Sequence, residues 1–445
     1  MLAIAGVIVI HVSGTALFAF GKVSAFDWFV GNVFDSIVRF SIPLFLKLAQ
    51  CLSPMHKGKL LALPAPLAEQ AMRMKKLSLP ALQPLVCITS ELHQRMKNIH
   101  TVGCGCGVDI HAHLVPENFP RYLGASVPSP WPYTEAAPDA KGMCHRQVMF
   151  NGKHYRTVSE QCWSAKRRIA DLPEMGLSHQ VISPMPELLS YWLSLSDAQP
   201  LVRYLNEQTA ALCAESDGRF LGLAAVPLQD VDAAILELRH AHENLGLVGV
   251  ELGSNINGTP IGDVKFDAFY EACVALDVPV FVHALKPAGM DRLIGPPALE
   301  QVLGYPTDVG LAAASVITGG LMQRHPQLRI AFSHGGGTLA SLLPRLTQGW
   351  KTFPALADRL PESPAETAKR LYFDTLVYDP ATLRHLIQTF GASQLMLGTD
   401  YPFNFHEPLP MGRLSEAGLD QPTQDALAFA NALRFLGNGA GLHAA

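Results

Sequence analysis

Val108-Asp109-Ile110-His111-Ala112-His113 is an apolar run that ends in two histidines one residue apart. Residues i and i+2 of a β-strand face the same side. Both imidazoles therefore point one way, at a spacing that a metal ion accepts. Three later segments repeat the pattern: Val280-Phe281-Val282-His283, Ile330-Ala331-Phe332-Ser333-His334 and Leu395-Met396-Leu397-Gly398-Thr399-Asp400. Each is a short apolar run closing on a residue suited to ligation or proton transfer. Taken singly, His283 or His334 reads as a buried histidine, and Asp400 as a turn or helix-cap aspartate. Four in series point to one site. Apolar runs without alternation are the mark of strands buried on both faces. Such strands with functional residues at their C-terminal ends fit a parallel barrel whose site lies on one rim.

Working outward, helix-like and strand-like segments alternate. Helices are expected over 164–175, 200–216, 231–244, 266–276, 306–324, 339–350 and 380–390. Strands are expected over 180–183, 220–226, 248–252 and 371–375, besides the four above. The eight strands predict an α/β fold of the (β/α)8 TIM-barrel class. Residues 116–140 are dense in proline and predict a long loop over the first strand's rim, where lids often form. Asn151-Gly152 signals a tight hairpin just after it.

The segments VDIHAHLVPE, PVFVHA, IAFSHGGGTLASLLPR and LMLGTDYPF, in that order, resemble the amidohydrolase superfamily. They are most similar to its branch of aminocarboxymuconate semialdehyde decarboxylase and related aromatic-acid decarboxylases. The resemblance runs from about Cys106 to the C-terminus. It implies His111, His113, His283 and Asp400 as metal ligands, with Zn2+ as the expected ion and Mn2+ or another divalent metal as the alternative. Asp400 would also hydrogen-bond a metal-held water, and His334 would be the general acid/base. The resemblance further implies that Arg156 and Arg345 grip a substrate carboxylate. The family supplies the residue matching Arg345 from a neighbouring subunit, which implies a homodimer. Trp163 sits where the family has a tryptophan and is a candidate pocket residue, as is the segment 185–192.

Two positions depart from the family pattern. Phe353 replaces a further arginine, and Ala284-Leu285 replaces Pro-Trp after the fifth-strand histidine. Fewer cations and a more apolar wall favour a substrate with one carboxylate. The expected activity is metal-dependent, non-oxidative decarboxylation of an aromatic or unsaturated carboxylic acid. Hydrolysis of an amide, lactone or C–C bond is the alternative, because the same ligands serve both reactions.

The 445 residues carry a net charge of −4, with no basic footprint for nucleic acid. Eight cysteines form no regular framework, which fits reduced thiols and a cytoplasmic setting. Cys104-Gly-Cys106 reads as a lead-in to the first strand.

The N-terminus differs in character. Residues 2–20 contain no charged side chain and have the length of a membrane span. IAGVIVIHVSG and WFVGNVFDSIVRFSIPLF resemble the opening of integral-membrane acyltransferases, with His11 matching that family's histidine, and the likeness stops near Leu46. The expected organisation is an apolar helical segment over 1–50, a span or fusion remnant, and a low-order linker over 51–103. The metal-dependent barrel follows over 104–445. Membrane contact would come only through residues 1–46, and Met96 is an alternative start.

Overall fold

The structure, a computed structural model, describes residues 107–437 apart from residue 125 and residues 138–143. The apolar segment, the linker, Met96 and the Cys104-Gly-Cys106 lead-in lie outside the described residues. Among the described residues no helix is long and apolar enough to cross a membrane.

Eight parallel strands form the central sheet in sequence order. They are β1 (Gly107–Leu114), β2 (Leu177–Pro184), β3 (Phe220–Ala224), β4 (Gly249–Gly253), β5 (Val280–His283), β6 (Ile330–Phe332), β7 (Tyr372–Asp374) and β8 (Leu395–Met396). The sheet closes on itself past the end of β8. Ile110 N–H donates to Leu397 O at 2.9 Å, and His113 N–H donates to Tyr401 O at 2.7 Å. Ala112 and Tyr401 pair in parallel. The result is the expected TIM barrel.

The strands form where the apolar runs are, because both of their faces are covered. Ile182, Val250, Val282, Ile330, Phe332 and Leu395 are fully buried, in one cluster with helix residues such as Val202, Leu238, Phe269 and Leu343. Burying a side chain of this size contributes about 1.5–3 kcal/mol. Three of the helices start at clear side-chain caps. Ser164 accepts from Arg167 N–H, Asp230 from Ala233 N–H and Asp379 from Thr382 N–H, opening helices Ala165–Met175, Val231–Glu243 and Pro380–Phe390.

Three elements differ from expectation. The helix expected from residue 200 begins earlier and spans Leu195–Ala214, because Ala198, Leu201 and Leu205 bury in a cluster beneath the first rim loop. The helix expected over 306–324 divides into Tyr305–Thr318 and Leu321–Arg324 at Gly319-Gly320, where Gly320 has φ 75°. The long loop also contains a strand. Tyr133–Ala136 joins His145–Phe150 and Lys153–Ser159 in an antiparallel three-stranded sheet, with the Asn151-Gly152 turn at positive φ as expected.

Candidate metal centre and its cavity

His111 and His113 leave the C-terminal half of β1 on one face, as the period of two requires. His283 closes β5, and Asp400 follows β8. One ligand atom from each of these four side chains lies within 4.8 Å of all the others. His111 Nε2 is 3.1 Å from His113 Nε2 and 3.7 Å from Asp400 Oδ1, and His113 Nε2 is 3.1 Å from Asp400 Oδ1.

The opposite ring nitrogens decide what these atoms are. His111 Nδ1 is 2.7 Å from Asp374 Oδ2, His283 Nδ1 is 2.9 Å from Ala284 O, and His113 Nδ1 is 3.2 Å from Ser183 Oγ. The carboxylate and the carbonyl can only accept, so His111 and His283 carry their protons on Nδ1 and turn bare Nε2 atoms to the centre. Burial pushes the His111 imidazole down to about 3 and the His283 imidazole down to about 4, so both are neutral. Burial also takes His113 well below its ordinary value. Buried His283 Nε2 and Asp400 Oδ1 have no hydrogen-bond partner. Buried acceptor atoms left without a donor, as His283 Nε2 and Asp400 Oδ1 are, are costly unless a cation sits beside them. Three imidazoles, one carboxylate and their orienting partners fit a divalent ion of the zinc or manganese type.

Sequence reasoning missed the orienting residues. Asp374 ends β7 and holds His111 and the turn after β6 together, accepting His334 N–H at 2.9 Å and Gly335 N–H at 2.7 Å. Its signal was present: a carboxylate at the C-terminal end of an expected strand. Asp109 accepts from His111 N–H, Thr399 Oγ and Gln180 Nε2, tying β1 to the β8 turn and β2. Glu251 ends 4.0 Å from His113 Nδ1.

His334 lies on the same rim, its ring centroid 5.0 Å from that of His283, with Nδ1 3.1 Å from Ser333 Oγ. Both His334 (φ 53°) and Asp400 (φ 64°) take left-handed backbone angles, which turns each side chain sharply off its strand end. Gly337 completes the His334 turn at φ 57°, where a Cβ would stand 1.8 Å from Pro306 O. Gly398 lets β8 pass close to its neighbours, since a Cβ there would lie 2.7 Å from Asp374 Cβ and 3.0 Å from His111 Cβ.

A cavity of about 310 Å³ opens on this centre, and His283, His334 and Asp400 form its floor. Arg156, from the hairpin strand Lys153–Ser159, is on its wall. The Arg156 guanidinium packs 4.0 Å over the Phe403 ring, and that ring stacks on His113. Burial works against the charge of Arg156, but Glu187, Tyr155 and Asp400 outweigh it and raise its pKa. Glu187 and Tyr305 share the wall and were not foreseen as site residues.

Arg345 and Trp163 are not brought into the cavity. Arg345 is exposed on helix Leu339–Thr352. Trp163 packs against the cluster containing Val115, Cys162 and Phe403, beside the site rather than lining it. Within 185–192, Pro186 and Glu187 reach the cavity, whereas Met185 is core and Trp192 packs under the Lys286 ammonium, 3.5 Å from its ring.

The family profile described as amidohydrolase matches residues 108–437. The 2-amino-3-carboxymuconate-6-semialdehyde decarboxylase of Dictyostelium discoideum is 34% identical over 335 residues, covering 74% of this chain and 91% of that protein. The gamma-resorcylate decarboxylase of Rhodococcus jostii is 30% identical over 227 residues, covering 46% of this chain and 66% of that protein. The crystal structure of Metarhizium anisopliae IDCase superposes with a TM-score of 0.63 at 20% identity, covering 76% of this chain and 98% of that one, which speaks for the fold.

Proposed function

The chain belongs to the amidohydrolase family, and from that membership and the geometry of the rim we propose a metal-dependent, non-oxidative decarboxylase of an aromatic or unsaturated carboxylic acid. The observation that carries this reading is the four-residue cluster, two of whose members, His283 and Asp400, line a cavity together with Arg156 and His334. The similarity to decarboxylases over three quarters of the chain supports it.

His111, His113, His283 and Asp400 would hold one ion, with zinc favoured by the imidazole-rich set and manganese as the alternative. When bound, the ion supplies Lewis-acid polarisation of a substrate oxygen. Arg156 binds the substrate carboxylate through its planar fork, which suits two-point contact. Its stacking on Phe403 fixes the direction of that fork. In the reaction the C–C bond to the carboxylate breaks, CO2 leaves, and the electron pair stays on the substrate carbon. That carbon takes a proton. His334 takes up a proton from solvent on Nε2, passes it to that carbon and returns to the neutral imidazole, since an imidazole can move a proton either way. Burial keeps the His111 and His283 imidazoles neutral.

Arg345 acts, in this reading, across a homodimer. It shares an exposed helix face with Leu342, three residues away and 50% exposed. A cytoplasmic barrel over 104–445, with residues 1–50 as a separate apolar segment, completes the proposal. The test is CO2 release by the metal-loaded protein across aromatic and unsaturated acids, with amides and lactones run beside them. Release from an acid is the expected result. Turnover confined to amides or lactones would move the chain to the hydrolases.

A further inference from the structure

The cavity wall carries a carboxylate, Glu187, that the mechanism above does not use. Glu187 Oε1 accepts two hydroxyl hydrogen bonds, from Tyr155 at 2.5 Å and from Tyr305 at 2.6 Å. Tyr155 comes from the hairpin, Tyr305 from the start of the helix after β5, and Glu187 from the turn after β2. Three separate elements therefore converge to fix one oxygen. The other oxygen, Oε2, is buried and has no hydrogen-bond partner. Burial pushes this carboxyl up, but Arg156 and the two hydroxyls outweigh it and hold it below its ordinary value. Its charge reaches His113, His283 and Asp400.

An anion fixed this firmly, with one oxygen unsatisfied, needs a donor. Both tyrosines already donate to Oε1, and no described residue, Arg156 included, donates to Oε2. The remaining source is a molecule in the cavity. Resting on the decarboxylase reading, we propose that Glu187, positioned by Tyr155 and Tyr305, is the specificity-determining residue of this cavity: it accepts a hydrogen bond from an O–H or N–H group of the substrate and repels a second carboxylate. The wall then offers Arg156 to one end of the substrate and Glu187 to another. A monocarboxylic acid with a hydroxyl or amino substituent matches both. A dicarboxylic acid matches one and faces like charge at the other, an arrangement that costs several-fold or more in affinity.

The experiment measures calorimetric binding of 2-, 3- and 4-hydroxybenzoate, each against its methoxy counterpart, and of isophthalate, to the metal-loaded full chain and to Glu187→Gln. The wild-type protein should bind at least one hydroxy acid more tightly than its methoxy partner, which cannot donate. In Glu187→Gln that ratio should fall about fivefold or more, because an ionic acceptor holds a donor roughly twice as strongly as a neutral one. Isophthalate should bind the variant about tenfold more tightly than the wild type. A wild-type protein that binds every pair equally, or binds none, overturns the proposal without needing the variant. Ratios unchanged in a folded Glu187→Gln overturn it as well. CO2 release, followed on the same acids, separates the two readings: binding selectivity with no release defeats the decarboxylase and leaves Glu187 as the selector.

Discussion

Asp374 Oδ2 stands 2.7 Å from His111 Nδ1, and the same carboxylate receives the backbone N–H groups of His334 and Gly335. One side chain thus sets the tautomer of a candidate metal ligand and the position of the proposed acid/base. Substituting Asp374→Asn puts an amide, which can donate as well as accept, against His111 Nδ1. The expected loss in metal affinity is about 10–100-fold, measured by competition with a chromogenic chelator. Unchanged affinity in a folded variant would remove Asp374 from this role.

Metal removal should loosen the barrel without unfolding it. The candidate ligands sit on strands closed by backbone pairing, so the framework persists, but His283 Nε2 and Asp400 Oδ1 are left buried without a partner at its mouth. An ion at about a hundred times its dissociation constant adds about 2.7 kcal/mol. Thermal melts with and without chelator should differ accordingly, and restored Zn2+ or Mn2+ should return the transition. Melts that coincide would argue against an ion at this site.

Arg156→Ala should leave metal content intact and lower kcat/KM by roughly 10–100-fold, the scale of a lost charge-assisted hydrogen bond. Arg156→Lys keeps the charge but not the fork and should recover only part of it. Full activity in Arg156→Ala would assign the carboxylate contact elsewhere.

Gly337→Ala should destabilise the protein by about 2–4 kcal/mol, combining a left-handed backbone with a clash against Pro306 O. The urea midpoint is the readout. A variant as stable as wild type would mean that the turn after His334 adapts.

Much of this was legible in the sequence, for a physical reason. Strands buried on both faces must be apolar throughout, so a polar residue at the end of such a run stands out. His111, His113, His283, His334 and Asp400 were visible on those grounds and all lie on one rim. The helix Pro380–Phe390 was equally plain, since Asp379-Pro380 is both cap and first turn. Residues whose role depends on distant partners were not legible. Glu187 is one acid in a loop until Tyr155 and Tyr305, 32 and 118 residues away in sequence, converge on it. Trp163 illustrates the reverse, a residue singled out by motif position that the fold places in packing. Arg345 could not be judged from one chain's pattern, because its expected partner is a second copy.

The most direct test of the central claim is CO2 release by the zinc- or manganese-loaded protein and its His334→Ala variant, with metal content measured on both. The expected result is release from at least one aromatic or unsaturated acid, falling about 10²–10⁴-fold in the variant while bound metal stays the same. Release undiminished in a metal-replete His334→Ala, or absent from the wild-type protein for every acid, would contradict the reading of this rim as the seat of decarboxylation.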